Sequence, residues 1–165
     1  MILPNKPDQK YNSGLLGWRK WYTNSRGELL PLTSDQAWNR GENKAICLKH
    51  EDHEGRQQIP NSECSCGMYA YYQPNREFKF DLRQDGCVFS RSILGLVMGY
   101  GRVELHPGGF RSEKMLILGV VDNGSLATSQ IIENYKIDSF DALDELMSYA
   151  TYLSQHHSLE IIDKG

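Results

Sequence analysis

Residues 93–121 read ILGLVMGYGRVELHPGGFRSEKMLILGVV, and this stretch decides the fold. Both of its ends are rich in aliphatic residues, and its middle contains the turn sequence Pro107-Gly108-Gly109. Aliphatic and aromatic runs on either side of such a turn favour two antiparallel strands. We therefore predict one strand over residues 96–106 and a second over residues 115–121, which together form the centre of a sheet.

Further strands are predicted on both sides of this stretch. Residues 15–22 and 28–32 are apolar and flank the turn signal at residues 24–27, so residues 15–32 predict a β-hairpin. Short strands are predicted at residues 45–48, 68–72 and 159–162.

Helical periodicity is convincing in one segment. Between residues 140 and 155, apolar residues recur at spacings of three and four, and Ser139 is positioned to cap the N-terminus. The predicted class is α+β: a mainly antiparallel β-sheet with a zinc-stabilised loop and a C-terminal amphipathic helix. We assign residues 1–13 to a polar N-terminal arm and residues 14–165 to a single domain.

Length and composition exclude several classes of protein. The 165 residues suit one domain, and 39% hydrophobic with 24% charged residues argue against a disordered chain. The longest apolar runs, at residues 93–98 and 115–121, are far shorter than the roughly 20 residues of a membrane span. The N-terminus lacks the features of a signal peptide, so we expect a cytoplasmic protein. A net charge of −3 makes nucleic acid an unlikely partner.

The most specific chemical pattern is a set of metal ligands at Cys47, His53, Cys64 and Cys66. Three cysteines and one histidine are a standard ligand set for structural zinc, and their thiolate and imidazole donors suit that ion. The two cysteines of the Cys-x-Cys pair must bend towards one ion, and Gly67 makes that bend easier. The polar segment between the ligands has little core of its own, so an ion would supply folding free energy.

Other interpretations of the cysteines stay open. They could be buried thiols, His50 could replace His53, and Cys87 could replace any of the cysteines. An iron–sulfur cluster ranks well below zinc. Catalytic zinc is disfavoured because four protein ligands leave no open coordination position. The zinc deaminase pattern His-x-Glu is also broken, since His53 is followed directly by Glu54.

A second group of polar residues lies near the turn of the central hairpin. Arg102, His106, Arg111 and Glu113 could form an anion or carboxylate site, in which the arginines act as bidentate donors. Together with Glu104 they could instead form cross-strand ion pairs on an exposed hairpin face, and this second interpretation is favoured.

Aromatic residues offer a third hypothesis. Trp18, Trp21, Tyr69 and Tyr71 could stack on the bases of a single-stranded nucleic acid. A place in the hydrophobic core is the more common role for such residues, and we favour it here.

Taken in order, these residues form a longer pattern. It consists of Gly17-Trp18-Arg19-x-Trp21, Trp38, Ala45-Ile46-Cys47, His53, Cys64-x-Cys66-Gly67-x-Tyr69-Ala70, Gly99-Tyr100-Gly101-Arg102-Val103 and Gly109-Phe110-Arg111-Ser112-Glu113. The pattern resembles a set of uncharacterised small bacterial and phage proteins with a Trp-rich start, Cys…His…Cys-x-Cys-Gly and a Gly-Phe/Tyr-Arg-x-Glu hairpin. The resemblance covers roughly residues 14–121. It implies no activity, but it implies that the metal residues and the hairpin belong to one unit.

From the sequence we expect a zinc-stabilised, non-enzymatic binding or adaptor module whose partner is a protein. The first alternative is a small-ligand or nucleotide-binding protein that uses the hairpin residues, with hydrolase activity as one option. The second is single-stranded nucleic-acid binding through the aromatic residues. Whether the chain is an enzyme stays open.

Overall fold

A computed structural model describes residues 14–31, 36–47, 59–60, 66–74 and 92–162. These residues form eight strands and two helices: β1 (Gly14–Thr23), β2 (Leu29–Leu30), β3 (Glu42–Lys44), β4 (Met68–Tyr71), β5 (Ile93–Leu105), β6 (Gly109–Val121), α1 (Leu126–Tyr135), β7 (Ser139–Phe140), α2 (Leu143–His156) and β8 (Leu159–Ile161). The predicted α+β class with a mainly antiparallel sheet is confirmed, while the zinc-stabilised loop stays a prediction.

The central hairpin is present and is longer than predicted. Strands β5 and β6 have 13 residues each and pair from Gly95↔Val120 to Leu105↔Phe110. Their register shifts between Tyr100 and Val103, where Gly101 has a φ of 79°. That backbone conformation favours glycine, and a bulge of this kind bends a strand and increases its twist.

The strand pairings close a ring. Strand β1 pairs antiparallel with β5, β5 with β6 and β6 with β4, and β4 returns to β1 at the Trp18↔Tyr71 pair. The remaining edge of β6 takes β3 and, in parallel, β7, and β1 also pairs with β2 and, in parallel, with β8. The first half of β5 is therefore paired on both sides, by β1 and β6, as a buried strand requires. Among the described strands, residues 100–105 of β5 pair with β6 alone.

A hydrophobic core lies on each face of this sheet. One core contains Trp21 and Phe110 together with Ile131 and Tyr135 of α1. The other packs α2, through residues such as Leu146 and Leu153, against the opposite strand face. Successive residues of a strand point to opposite faces, so the apolar runs of β5 and β6 supply both cores.

The helices differ from the sequence prediction. Helix α2 begins at Leu143 and not at residue 140, because Ser139 and Phe140 pair with β6 as strand β7. Ser139 is therefore not a cap; the N-cap is Ala142, whose side chain makes no capping hydrogen bond. Helix α1 was not predicted. It begins after Ser125, whose Oγ accepts a hydrogen bond from the Thr128 N–H.

The shorter strands confirm the prediction at three places. The first hairpin forms from β1 and β2, β4 covers most of residues 68–72, and β8 forms at the C-terminal end. The strand predicted at residues 45–48 is wrong for residues 45–47, because β3 ends at Lys44, and residue 48 lies outside the described residues. The predicted arm at residues 1–13 lies outside the described residues. Among the described helices, none is long and apolar enough to cross a membrane.

Candidate functional site

Polar side chains meet where the central hairpin approaches its turn, and we call Glu104, His106 and Arg111 the Arg111 cluster. Glu104 in β5 and Arg111 in β6 are directly paired across the two strands. Arg111 is only 8% exposed, whereas the side chains of Glu104 and His106 keep partial contact with solvent. The cluster therefore places a buried guanidinium beneath two half-buried groups.

Each nitrogen of the Arg111 guanidinium faces a protein group. Nε donates to Nε2 of His106 at 3.1 Å, Nη1 donates to the Cys66 carbonyl at 2.8 Å, and Nη2 donates to the Glu104 carboxylate. A cross-strand ion pair is thus present, but it is buried and not on an exposed face. Arg111 therefore links the hairpin to the Cys66 backbone, and its guanidinium nitrogens are not available to bind a ligand.

His106 Nε2 also lies 3.0 Å from Oε1 of Glu104. One nitrogen cannot accept from Arg111 and donate to Glu104 at the same time, because it either carries a proton or does not. A ring with its proton on Nδ1 alone accepts from Arg111, whereas a ring that carries a proton on Nε2 donates to Glu104.

Arg102 and Glu113 make a separate set of contacts. The Glu113 carboxylate accepts a hydrogen bond from the Arg102 backbone N–H at 3.1 Å, across the bulge in β5. The Arg102 side chain donates from Nε to the carbonyl of Pro60 at 3.1 Å. Two arginines of the hairpin therefore hold backbone carbonyls near the Cys-x-Cys pair: Arg102 holds that of Pro60, which precedes the pair, and Arg111 holds that of Cys66, its last residue.

Two of the four predicted zinc ligands lie within the described residues. Cys47 and Cys66 are 5% and 9% exposed and belong to one small buried cluster with Ala45 and Ile59, against which Met68 packs. This cysteine cluster is distinct from the two main cores. The other two ligands, His53 and Cys64, lie outside the described residues, as do the alternative ligands His50 and Cys87.

The predicted bend after Cys66 is present. Gly67 has a φ of 108°, a backbone conformation that residues other than glycine rarely adopt. A Cβ atom at this position would approach Cβ of Pro60 to 3.1 Å and Cβ of Arg111 to 3.2 Å. Within the described ranges, no group of three or more His, Cys, Asp or Glu residues is arranged to hold a metal ion. The four-ligand set stays a prediction.

The aromatic residues separate into two groups. Trp18 and Trp21 are 6% and 0% exposed, so their rings cannot stack on bases in the folded chain. The hypothesis of stacking on these two residues is corrected by their burial in the cores. Tyr69 and Tyr71 are half-buried on β4 and contact each other edge to face, with ring centroids 5.1 Å apart.

Arg19 is a half-buried cation with an enclosed Nε, and sequence reasoning missed it. It lies in β1, its Nη1 donates to the Tyr69 carbonyl at 2.7 Å, and its guanidinium carbon sits 4.6 Å from the Trp38 ring centroid. Its Nε is enclosed and has no hydrogen-bond partner. Burial lowers the pKa of Arg19 to about 10, an effect that Tyr71 partly opposes. The guanidinium therefore keeps its charge at neutral pH.

A signal for Arg19 was present in the sequence. Residues two apart in a strand share a face, so Arg19 lies on the same face of β1 as the buried Trp21. An arginine at such a position needs a specific partner.

Comparison with known proteins assigns no activity to these groups. No family model matches the chain, and neither the curated proteins nor the solved structures contain a significant match to it. Functional inference therefore depends on the chemistry of the described residues.

Proposed function

We propose that this chain is a zinc-stabilised, non-enzymatic binding module. The observation that supports it is the shared burial of Cys47 and Cys66 in one small cluster, which adjoins the first main core at Met68. The two cysteines are 19 positions apart in the sequence, from 47 to 66, and the fold brings them into the same cluster. Two thiol donors buried together are what a structural zinc site requires.

The size of the cysteine cluster supports a need for metal. Among the residues that the structure describes, this cluster has four small or medium side chains with Met68 at their edge, far fewer than either main core. At ~25 cal/mol per Å² of buried apolar surface, so few residues stabilise a loop weakly. A structural zinc ion contributes an apparent ~10–16 kcal/mol in small zinc domains. In this proposal His53 and Cys64 complete the ligand set, and the ion fixes the loop.

The proposal also accounts for the two arginine ties. Arg102 holds the Pro60 carbonyl and Arg111 holds the Cys66 carbonyl, so the cysteine segment is fastened to the β5–β6 hairpin. A rigid sheet thereby orients backbone groups beside the cysteines, as outer-shell contacts do in metal sites. A site closed by four protein ligands has no position for a reacting water, which favours a structural role.

The binding surface in this proposal lies on β4, directly after the cysteine segment. Tyr69 and Tyr71 are half-buried there, and Tyr69 also lies near His106, with ring centroids 6.3 Å apart. Tyrosines on a rigid strand are typical anchors of protein interfaces, because they present a large area and lose little side-chain entropy. We propose a protein as the partner of this surface.

Elemental analysis of tag-free protein, purified without added metal, tests the zinc site. We expect one zinc ion per chain in the natural protein, and loss of the ion together with a lower melting temperature in Cys66→Ser and Cys47→Ser. Cys87→Ser is the matched control, because this cysteine lies outside the proposed ligand set. His53→Ala should lose the ion and His50→Ala should keep it.

Two results would contradict the proposal. A folded natural protein without metal would return the cysteines to the role of buried thiols. Equal zinc content in Cys66→Ser and Cys87→Ser would show that the ligand set is wrong. The binding role is tested by pull-down from the native host with Tyr69→Ala as the control, and a protein that captures no partner would contradict it.

A further inference from the structure

Arg19 and Arg111 are held in the same way, with one difference. Each donates from Nη1 to a backbone carbonyl in the segment that leads into or forms β4: Arg19 to Tyr69 and Arg111 to Cys66. In Arg111 the opposite edge of the guanidinium, formed by Nε and Nη2, is filled by His106 and Glu104. This edge is the fork that binds a carboxylate or phosphate with two parallel hydrogen bonds.

The corresponding edge of Arg19 has no such partner. Its Nε is enclosed without a hydrogen bond, and its Nη2 makes none to any residue that the structure describes. No carboxylate in the described ranges lies within ion-pair distance of Arg19. A buried charge without a counter-charge is costly, and such groups are normally paired.

The guanidinium is also held in a fixed plane. It lies against the Trp38 ring, which contacts Trp21 edge to face with ring centroids 5.3 Å apart. The Trp38 backbone is held at both ends: its N–H donates to the Leu29 carbonyl at 2.8 Å, and its carbonyl accepts from the Tyr135 hydroxyl at 2.6 Å. A fork that is held in place before binding loses little entropy when an anion arrives.

We propose that the Nε and Nη2 edge of Arg19 binds the carboxylate or phosphate group of a ligand from outside the chain. The ligand supplies Arg19 with the negatively charged hydrogen-bond acceptor that Glu104 supplies to Arg111. Its binding relieves the cost of the unpaired Nε–H group and of the charge without a counter-charge. This inference goes beyond the proposed function and does not depend on a bound metal.

Inorganic phosphate and acetate are the probes, with sodium chloride at the same ionic strength as the reference. The ¹H–¹⁵N resonance of the Arg19 Nε–H group reports on the site directly, and the melting temperature reports on binding. We expect a saturable shift of that resonance and a rise in melting temperature with at least one probe. Removing a charged hydrogen-bond partner should weaken binding about 10- to 100-fold in Arg19→Met. Arg26→Met is the control, because it removes the same charge from an exposed side chain.

The two probes distinguish the two anion sources. A response to acetate alone identifies a carboxylate ligand, and a response to phosphate alone identifies a phosphorylated one; both results support the site. The proposal would be overturned if neither probe, at concentrations up to about 10 mM, gave a response larger than that of chloride; this concentration is ten times a millimolar dissociation constant. The resonance is read in the natural protein, so the test stands even if Arg19→Met fails to fold.

Discussion

Replacing Arg111 with methionine tests how strongly the hairpin depends on its buried guanidinium. The change leaves the Glu104 carboxylate without its cation and the Cys66 carbonyl without its donor. Removing one partner of a buried ion pair costs about 3–5 kcal/mol. The Glu104 side chain is 26% exposed and can be partly rehydrated, so we expect a loss near the lower end, ~3 kcal/mol. That is a large part of the ~5–15 kcal/mol that stabilises a typical domain.

Urea denaturation followed by far-ultraviolet circular dichroism measures this loss, provided that the slope with denaturant is unchanged. Arg102→Met is the matched control, because its side chain is exposed and should cost less than about 1 kcal/mol. Adding Glu104→Gln to Arg111→Met should recover part of the loss, since the carboxylate that lost its cation is then neutral. A loss below about 1 kcal/mol for Arg111→Met would refute the reasoning.

Two further predictions concern the fold. Tyr135→Phe should cost about 1–3 kcal/mol in chemical denaturation, because the hydroxyl accepts from the Leu29 N–H and donates to the Trp38 carbonyl. Burial raises the pKa of Tyr135 above its usual 10, so the unfolded chain loses this proton at a lower pH than the folded chain. The free energy of unfolding should therefore fall as the pH rises past 10. The phenylalanine variant should show a smaller fall, because it has no hydroxyl to ionise. Gly109→Ala should destabilise the fold by about 1–3 kcal/mol, because the added Cβ would collide with a backbone carbonyl of β4. Gly108→Ala is the control, because its Cβ would make only an ordinary contact. Equal melting temperatures for the two variants would contradict this prediction.

Local patterns in the sequence predicted the elements that carry their own signal. The hairpin of β5 and β6 follows from two aliphatic runs around Pro107-Gly108-Gly109, and α2 follows from apolar residues at helical spacing. Helix α1 has a weaker signal, because only three of its ten residues are buried and Leu126 at its start is largely exposed. The start of α2 was misplaced because Ser139 and Phe140 gain strand pairing with β6, which no local pattern shows.

The candidate sites show the same division. The sequence singled out the cysteines and the hairpin residues as candidates, and it offered Gly67 as a residue that makes a bend after Cys66 easier. It did not show that Arg111 is consumed by internal contacts or that Arg19 has an unfilled edge. Those facts depend on partners 45 and 50 positions away, the Cys66 and Tyr69 carbonyls.

By itself, the sequence determined the α+β class and the central hairpin, and it predicted a set of metal ligands that stays a prediction. These follow from composition, spacing and side-chain alternation, which act over a few residues. Only the tertiary structure decided how β4 closes the strand ring, which of the two cores each tryptophan joins and which arginine has its donors filled. The physical reason is that strand register between distant segments sets these contacts, and register is the outcome of packing the whole domain at once.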